Sequence, residues 1–82
     1  GKLLIGEHTE EMLQCDLNLE MATLKTLRDT IEFCEENADF VSRDMLTAIL
    51  DDEEEHVDWL ETQLDLISKI TIENYLQSMM DS

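Results

Sequence analysis

Proline is absent from this chain, and its two glycines, Gly1 and Gly6, both stand at the start. Past Gly6 no residue forces a turn, which argues against turn-rich β architectures and makes long helices the expectation. No run of ~18 apolar residues occurs, so no membrane span is expected. The segment Gly1-Lys2-Leu3-Leu4-Ile5-Gly6 is too short for a signal peptide and lacks an initiator Met, so a start at a cut or processing point is expected. Basic side chains are few, five against 21 acidic ones, for a formal net charge of -16. Such a field repels nucleic acid and anionic membranes and draws in cations. Solubility alone would ask for the same acidity, so charge leaves both readings open. The two cysteines, Cys15 and Cys34, fall on one expected helix, and nineteen residues at ~1.5 Å each put them ~28 Å apart, beyond disulfide reach. They suit a reducing compartment, as small buried hydrophobes.

With 82 residues there is room for one domain and a marginal core. Hydrophobic residues at 43% and charged ones at 32% fit a folded amphipathic chain. Three helices are expected: about Glu7 to Glu36, about Phe40 to Ile70, and a short one from about Ile72 to Met79. Asp39 can cap the second and Thr71 the third. The short break at Asn37, Ala38 and Asp39 makes the long helices an antiparallel hairpin.

The first helix carries the ladder Leu13, Leu17, Glu20, Leu24, Leu27, Ile31, Cys34, the 4-3 spacing of packed helices. The second carries Leu46, Ile49, Glu53, His56, Leu60, continued by Leu64 and Ile67. Both ladders are apolar except at the centre, where Glu20, Glu53 and His56 stand. A second apolar stripe runs along each helix: Met12, Cys15, Leu19, Ala22 and Phe33 on the first, and Val41, Met45, Ala48, Trp59, Leu66 and Ile70 on the second. One hairpin cannot bury both stripes of both helices, so a larger assembly is expected.

A buried carboxylate must neutralise, find a partner or bind a cation. No basic residue stands at a matching rung: Lys25 and Arg28 lie beside rungs, and Arg43 is near the second helix's start. Glu53 and His56, three apart on a helix, can grip one ion together. Carboxylate oxygen with imidazole nitrogen suits iron, manganese or zinc. Glu20 lies ~25 Å before Asn37 and Glu53 ~21 Å after Asp39, so the three groups can converge at one height. Plainer readings compete. Glu53 belongs to the acidic run Asp51 to Glu55, which could be a solvated face, and His56 could be a satisfied core histidine. Ferritin-like di-iron proteins use a Glu from each of two helices and a Glu-x-x-His from each of two others. This chain has one of each.

At these residues the chain resembles the bacterioferritins. The run Asp52-Glu53-Glu54-Glu55-His56-Val57-Asp58-Trp59-Leu60-Glu61-Thr62 is similar to their fourth helix. Gly1-Lys2-Leu3-Leu4-Ile5-Gly6-Glu7, Val41-Ser42-Arg43-Asp44-Met45 and Tyr75-Leu76-Gln77 carry the likeness over essentially the whole chain. The resemblance implies an all-α, ferritin-like four-helix bundle, with this chain giving the second helical hairpin plus the short C-terminal helix. The first two helices are then expected on another chain, the N-terminal half of the same subunit.

The resemblance further implies iron storage in a hollow cytoplasmic shell of twenty-four subunits. Two iron ions per complete site are oxidised there and passed to a mineral core. Glu20 and Glu53 become bridging carboxylates, and His56 a terminal ligand, of a ferroxidase centre. Asn74 and Gln77 become pore residues of a four-fold channel, and Asp58 and Thr62 line an iron-entry channel. Haem b sits between subunits, with its Met ligand outside these residues, and a ferredoxin is the implied partner for iron release. Two rival readings stand beside this one. In one, the hairpin dimerises with itself and completes a di-metal site without storage. In the other, it is an acidic helical interaction domain with no metal.

Overall fold

In the computed structural model of the chain, the backbone is described for residues 2–81 and side chains for residues 8–74, 76, 77 and 80. Two helices make up the fold, α1 (Lys2–Glu36) and α2 (Phe40–Asp81). Together they form a rod of 66 × 17 × 14 Å. That length is what α2's 42 residues span at ~1.5 Å each.

Three residues reverse the chain, and they satisfy their own backbone. The Asp39 N–H donates to the Cys34 carbonyl at 2.8 Å and the Ala38 N–H to the Glu35 carbonyl at 3.0 Å. This is the paired bond pattern of a Schellman cap. Its left-handed residue is Ala38, at φ 56°. Glycine usually takes that position, because a Cβ there crowds the following carbonyl. Asn37 caps further, its side-chain amide donating to the Phe33 carbonyl at 2.8 Å. Asp39 then opens α2, its Oδ1 accepting the Ser42 N–H at 3.1 Å. That is the N-cap expected from sequence.

The two helices meet along a single seam. Every α1 side chain from residue 8 onward that is less than exposed lies on one ladder: Leu13, Leu17, Glu20, Leu24, Leu27, Ile31, Cys34. The matching ladder on α2 is Leu46, Leu50, Glu53, Val57, Leu60, Leu64, Ile67. Both step 4, 3, 4, 3, 4, 3, so the packing is coiled-coil-like. Arg28 reaches Glu54 at 3.3 Å and Arg43 reaches Glu35 at 3.7 Å, tying the helices from outside the seam. These exposed pairs fix register more than they add stability.

The core is small. Among the described residues only Leu24, Cys34, Val57 and Leu60 are buried, while fourteen large hydrophobic side chains are exposed. The second stripes expected from sequence are among them: Met12, Leu19 and Phe33 on α1, and Val41, Met45, Trp59, Leu66 and Ile70 on α2.

Four expectations differ from the structure. α1 begins at Lys2 rather than near Glu7; a lone Gly6 costs a helix only ~1 kcal/mol and does not stop it. α2 runs through Thr71 without a break, so residues 72–79 continue it rather than forming a third helix. Nothing from Lys69 to Asn74 breaks a helix, and mid-helix threonines here, such as Thr47 and Thr62, satisfy their hydroxyls on the carbonyl four residues back. On the seam, Leu50 and Val57 replace Ile49 and His56 as rungs. Finally, Cys15 is exposed and only Cys34 is buried; both are free thiols.

Leu60 is 1% exposed, so Leu60→Ala should cost about 2–5 kcal/mol in chemical denaturation. A cost near zero would mean that the seam is not the core. Ala38→Gly should raise stability by about 0.5–1 kcal/mol, the left-handed penalty of ~1–2 kcal/mol less the ~0.4–1 kcal/mol entropy cost of glycine. A lower denaturation midpoint would contradict the left-handed turn. The hydrogen bonds from the Ser42 side chain and backbone hold the Asp39 carboxyl below its ordinary 3.8. A lowered folded-state value stabilises above the unfolded one and is lost as pH falls through the folded one. Asp39→Ala should therefore lower the melting temperature at neutral pH, and the gap to wild type should close in acid. A gap that persists unchanged at low pH would rule the cap out as its cause.

Candidate metal centre

The seam carries two charged rungs, Glu20 on α1 and Glu53 on α2. Each side chain is half-buried, and in each the Oε2 oxygen is sealed from solvent with no hydrogen-bond partner. Water would hold those lone pairs in an unfolded chain, so sealing them unpaired costs free energy. Three basic residues are engaged elsewhere. Arg28 pairs with Glu54, Arg43 with Glu35 and Asp44, and Lys69 with Asp65. Two acceptors without a donor, in an apolar seam, form a place where a cation would be stabilised. Those orphaned oxygens are the structural fit of this donor set to a metal ion.

His56 departs from expectation. It is exposed and lies off the seam, because the 4-3 alternation steps from Glu53 to Val57. It belongs to the outer stripe of α2: Met45, Ile49, Asp52, His56, Trp59, Gln63, Leu66, Ile70. Its ring stacks on that of Trp59, with centroids 6.3 Å apart and planes at 22°. Seam and outer stripe lie about 100° apart around the helix, and Glu53 and His56 flank the direction between them. The ladder expected from sequence, Leu46, Ile49, Glu53, His56, Leu60, zigzags along that direction. That direction is the flank of α2 between the seam and the exposed outer stripe.

The hairpin alone does not assemble a ligand cluster. Among the described residues, no group of three or more His, Cys, Asp or Glu side chains is placed to hold an ion. The seam brings Glu20 and Glu53 into one interface and leaves His56 on the adjoining face. The groove lined by His8, Glu11, Met12, Cys15 and Asp16 lies on α1, on the N-terminal side of Glu20, and includes none of the three.

The expected channel residues are also on the surface. Asp58 and Thr62 are exposed one turn apart, and the Thr62 hydroxyl donates to the Asp58 carbonyl at 2.9 Å. Asn74 and Gln77 are exposed on the last turns of α2. Sequence reasoning missed Leu50 and Val57 as rungs. The expected ladder keeps the same alternation of threes and fours as far as Leu60, so only packing against α1 separates the two.

Residues 2–70 match the ferritin family in its ferritin-like domain. The chain is 48% identical over 77 residues to a bacterial ferritin of Synechocystis sp., covering 93% of this chain and 49% of that protein. It is 50% identical over 76 residues to a bacterial ferritin of Pseudomonas aeruginosa, covering 92% and 49%. To a bacterioferritin of Brucella melitensis it is 41% identical over 75 residues, covering 92% and 47%. The chain spans about half the length of these curated relatives, and the match lies in their C-terminal half. Among the described residues no helix is long and apolar enough to cross a membrane. The family match, carried over most of the chain, fits the seam and its two charged rungs: this chain belongs to the ferritin family, as a ferritin-like domain related to the bacterial ferritins.

Proposed function

We propose that this chain contributes half of a di-iron ferroxidase centre to an iron-storage protein. Glu20 and Glu53 are its bridging carboxylates and His56 its terminal nitrogen ligand. The observation that carries the reading is the pair of sealed, partnerless Oε2 oxygens on facing seams. The relatives' names, bacterial ferritin and bacterioferritin, point the same way. The remaining ligands, a second Glu and a second Glu-x-x-His, come from a further pair of helices. Those helices would also cover the exposed stripes of α1 and α2. They would correspond to the half of the curated relatives that these 82 residues do not span.

Fe(II) is the substrate. Two Fe(II) give up one electron each, and dioxygen with two protons takes both electrons as hydrogen peroxide. Peroxide as oxidant would instead take them with two protons and leave two waters. The carboxylates of Glu20 and Glu53 neutralise the incoming charge and can shift between shared and single attachment. His56 gives a neutral nitrogen that sets the ligand field at one ion. The net charge of -16 concentrates Fe(II) near the protein. Asp58 and Thr62 on one path, and Asn74 and Gln77 on another, are the channel residues of this reading.

The fuller picture rests on the resemblance to bacterioferritins. Twenty-four subunits enclose a mineral core in the cytoplasm, and a ferredoxin supplies electrons for iron release. Haem b sits between subunits on a Met from outside these residues, and no step above passes through it.

Glu53→Ala should leave the native mass of the assembled protein unchanged and slow Fe(II) oxidation in stopped flow by at least about 100-fold, the upper end of what losing a supporting group costs a metal site. Wild-type rates in that variant would sink the site assignment. Glu53→Met removes a sealed acceptor, so the metal-free protein should gain about 1–3 kcal/mol. A loss of stability would show the carboxylate to be satisfied in the assembly. Native mass followed by denaturing mass spectrometry tests the missing helices. A particle of several hundred kilodaltons holding a second chain supports the reading. A dimer of this chain alone would favour the self-completing hairpin.

A further inference from the structure

We infer that Trp59 is a positioning residue for His56, fixing the plane in which the imidazole presents its nitrogen to a metal ion. The inference rests on the proposed ligand role of His56. Three residues apart on α2, the two side chains share one face. Their rings stack at 6.3 Å between centroids and 22° between planes, within the range of offset aromatic pairs. The contact uses the face of the imidazole. A metal uses the nitrogen lone pair, which lies in the ring plane. Stacking therefore restricts the ring without occupying the atom that binds.

Ligating histidines are usually oriented by a hydrogen bond from their other ring nitrogen to a carboxylate or carbonyl. Asp52, four residues back on the same face, is exposed, as is the adjacent Glu55, and Glu53 points to the seam. Among the described residues, no hydrogen bond or ion pair engages the His56 side chain. The orienting role falls to the indole. Trp59 is 52% exposed and is not among the buried residues Leu24, Cys34, Val57 and Leu60, so it can be changed without opening the hairpin's core.

The test uses the full assembled protein, titrated with Co(II) alone and followed by visible absorption. Trp59→Leu should weaken Co(II) binding by about ten-fold, the lower end for losing a group that orients a ligand. It should also change the shape of the ligand-field bands, with native mass held. Trp59→Phe, which keeps a ring to stack, should restore both affinity and band shape. His56→Ala is the control. If it alters the titration and Trp59→Leu does not, the positioning role is overturned and the ligand role stands. If His56→Ala overlays wild type, the ligand role falls and the positioning role falls with it. If Trp59→Phe behaves like Trp59→Leu, stacking is not the cause, and the inference is overturned.

Discussion

Two sealed carboxylate oxygens without donors shape the rest of this molecule. The seam around them is regular enough that an apolar residue could have stood at either rung. Leu24 and Val57 show how well such rungs bury. Carboxylates in their place weaken the hairpin as a free-standing object, since an unsatisfied buried acceptor costs ~1–3 kcal/mol. A charged rung in a dry seam makes physical sense when something cationic arrives there. The acidic surface, the sparse basic residues and the diversion of Arg28 and Arg43 into outer ion pairs all leave that place open.

Burial sets the second constraint. Among the described residues, four buried side chains stand against fourteen exposed large hydrophobic ones, the pattern of a subassembly. The seam holds two helices together, while the outer stripes hold nothing within this chain. His56 belongs to that second surface, which explains why the described residues of the hairpin gather no three-ligand cluster. In the proposed centre, Glu20 and Glu53 are set by the contact between α1 and α2, and His56 comes into play only when the outer stripe of α2 is covered. Binding a metal would then be linked to completing the bundle.

Much of this was legible in the sequence, and the failures have definite causes. The α1 seam read correctly at every rung, because each alternative neighbour of Leu24 or Leu27 is polar or charged. The α2 seam did not, because Ile49 competes with Leu50, and the charged Glu53 invited a partner at His56 over the apolar Val57. Both choices satisfy a helical period; only packing against α1 separates them. The Asp39 cap was readable from its residue type, while the left-handed Ala38 was not, since alanine gives no hint of positive φ. Thr71 looked like a cap by type. It sits inside α2 because no proline or glycine near it ends the helix.

The self-satisfied reversal at residues 37–39 also orders events in time. A loop this short closes on the order of tens of nanoseconds, whereas assembly with further subunits would take milliseconds to minutes and depend on concentration. A newly made hairpin therefore spends most of its early life with Phe33, Val41, Trp59 and Ile70 facing water. Any identical hairpin met during that wait carries the same net charge of -16. Their mutual repulsion slows the wrong encounter without weakening the right one, provided that the helices which finally cover those stripes approach at closer range, where apolar contact outweighs a screened field.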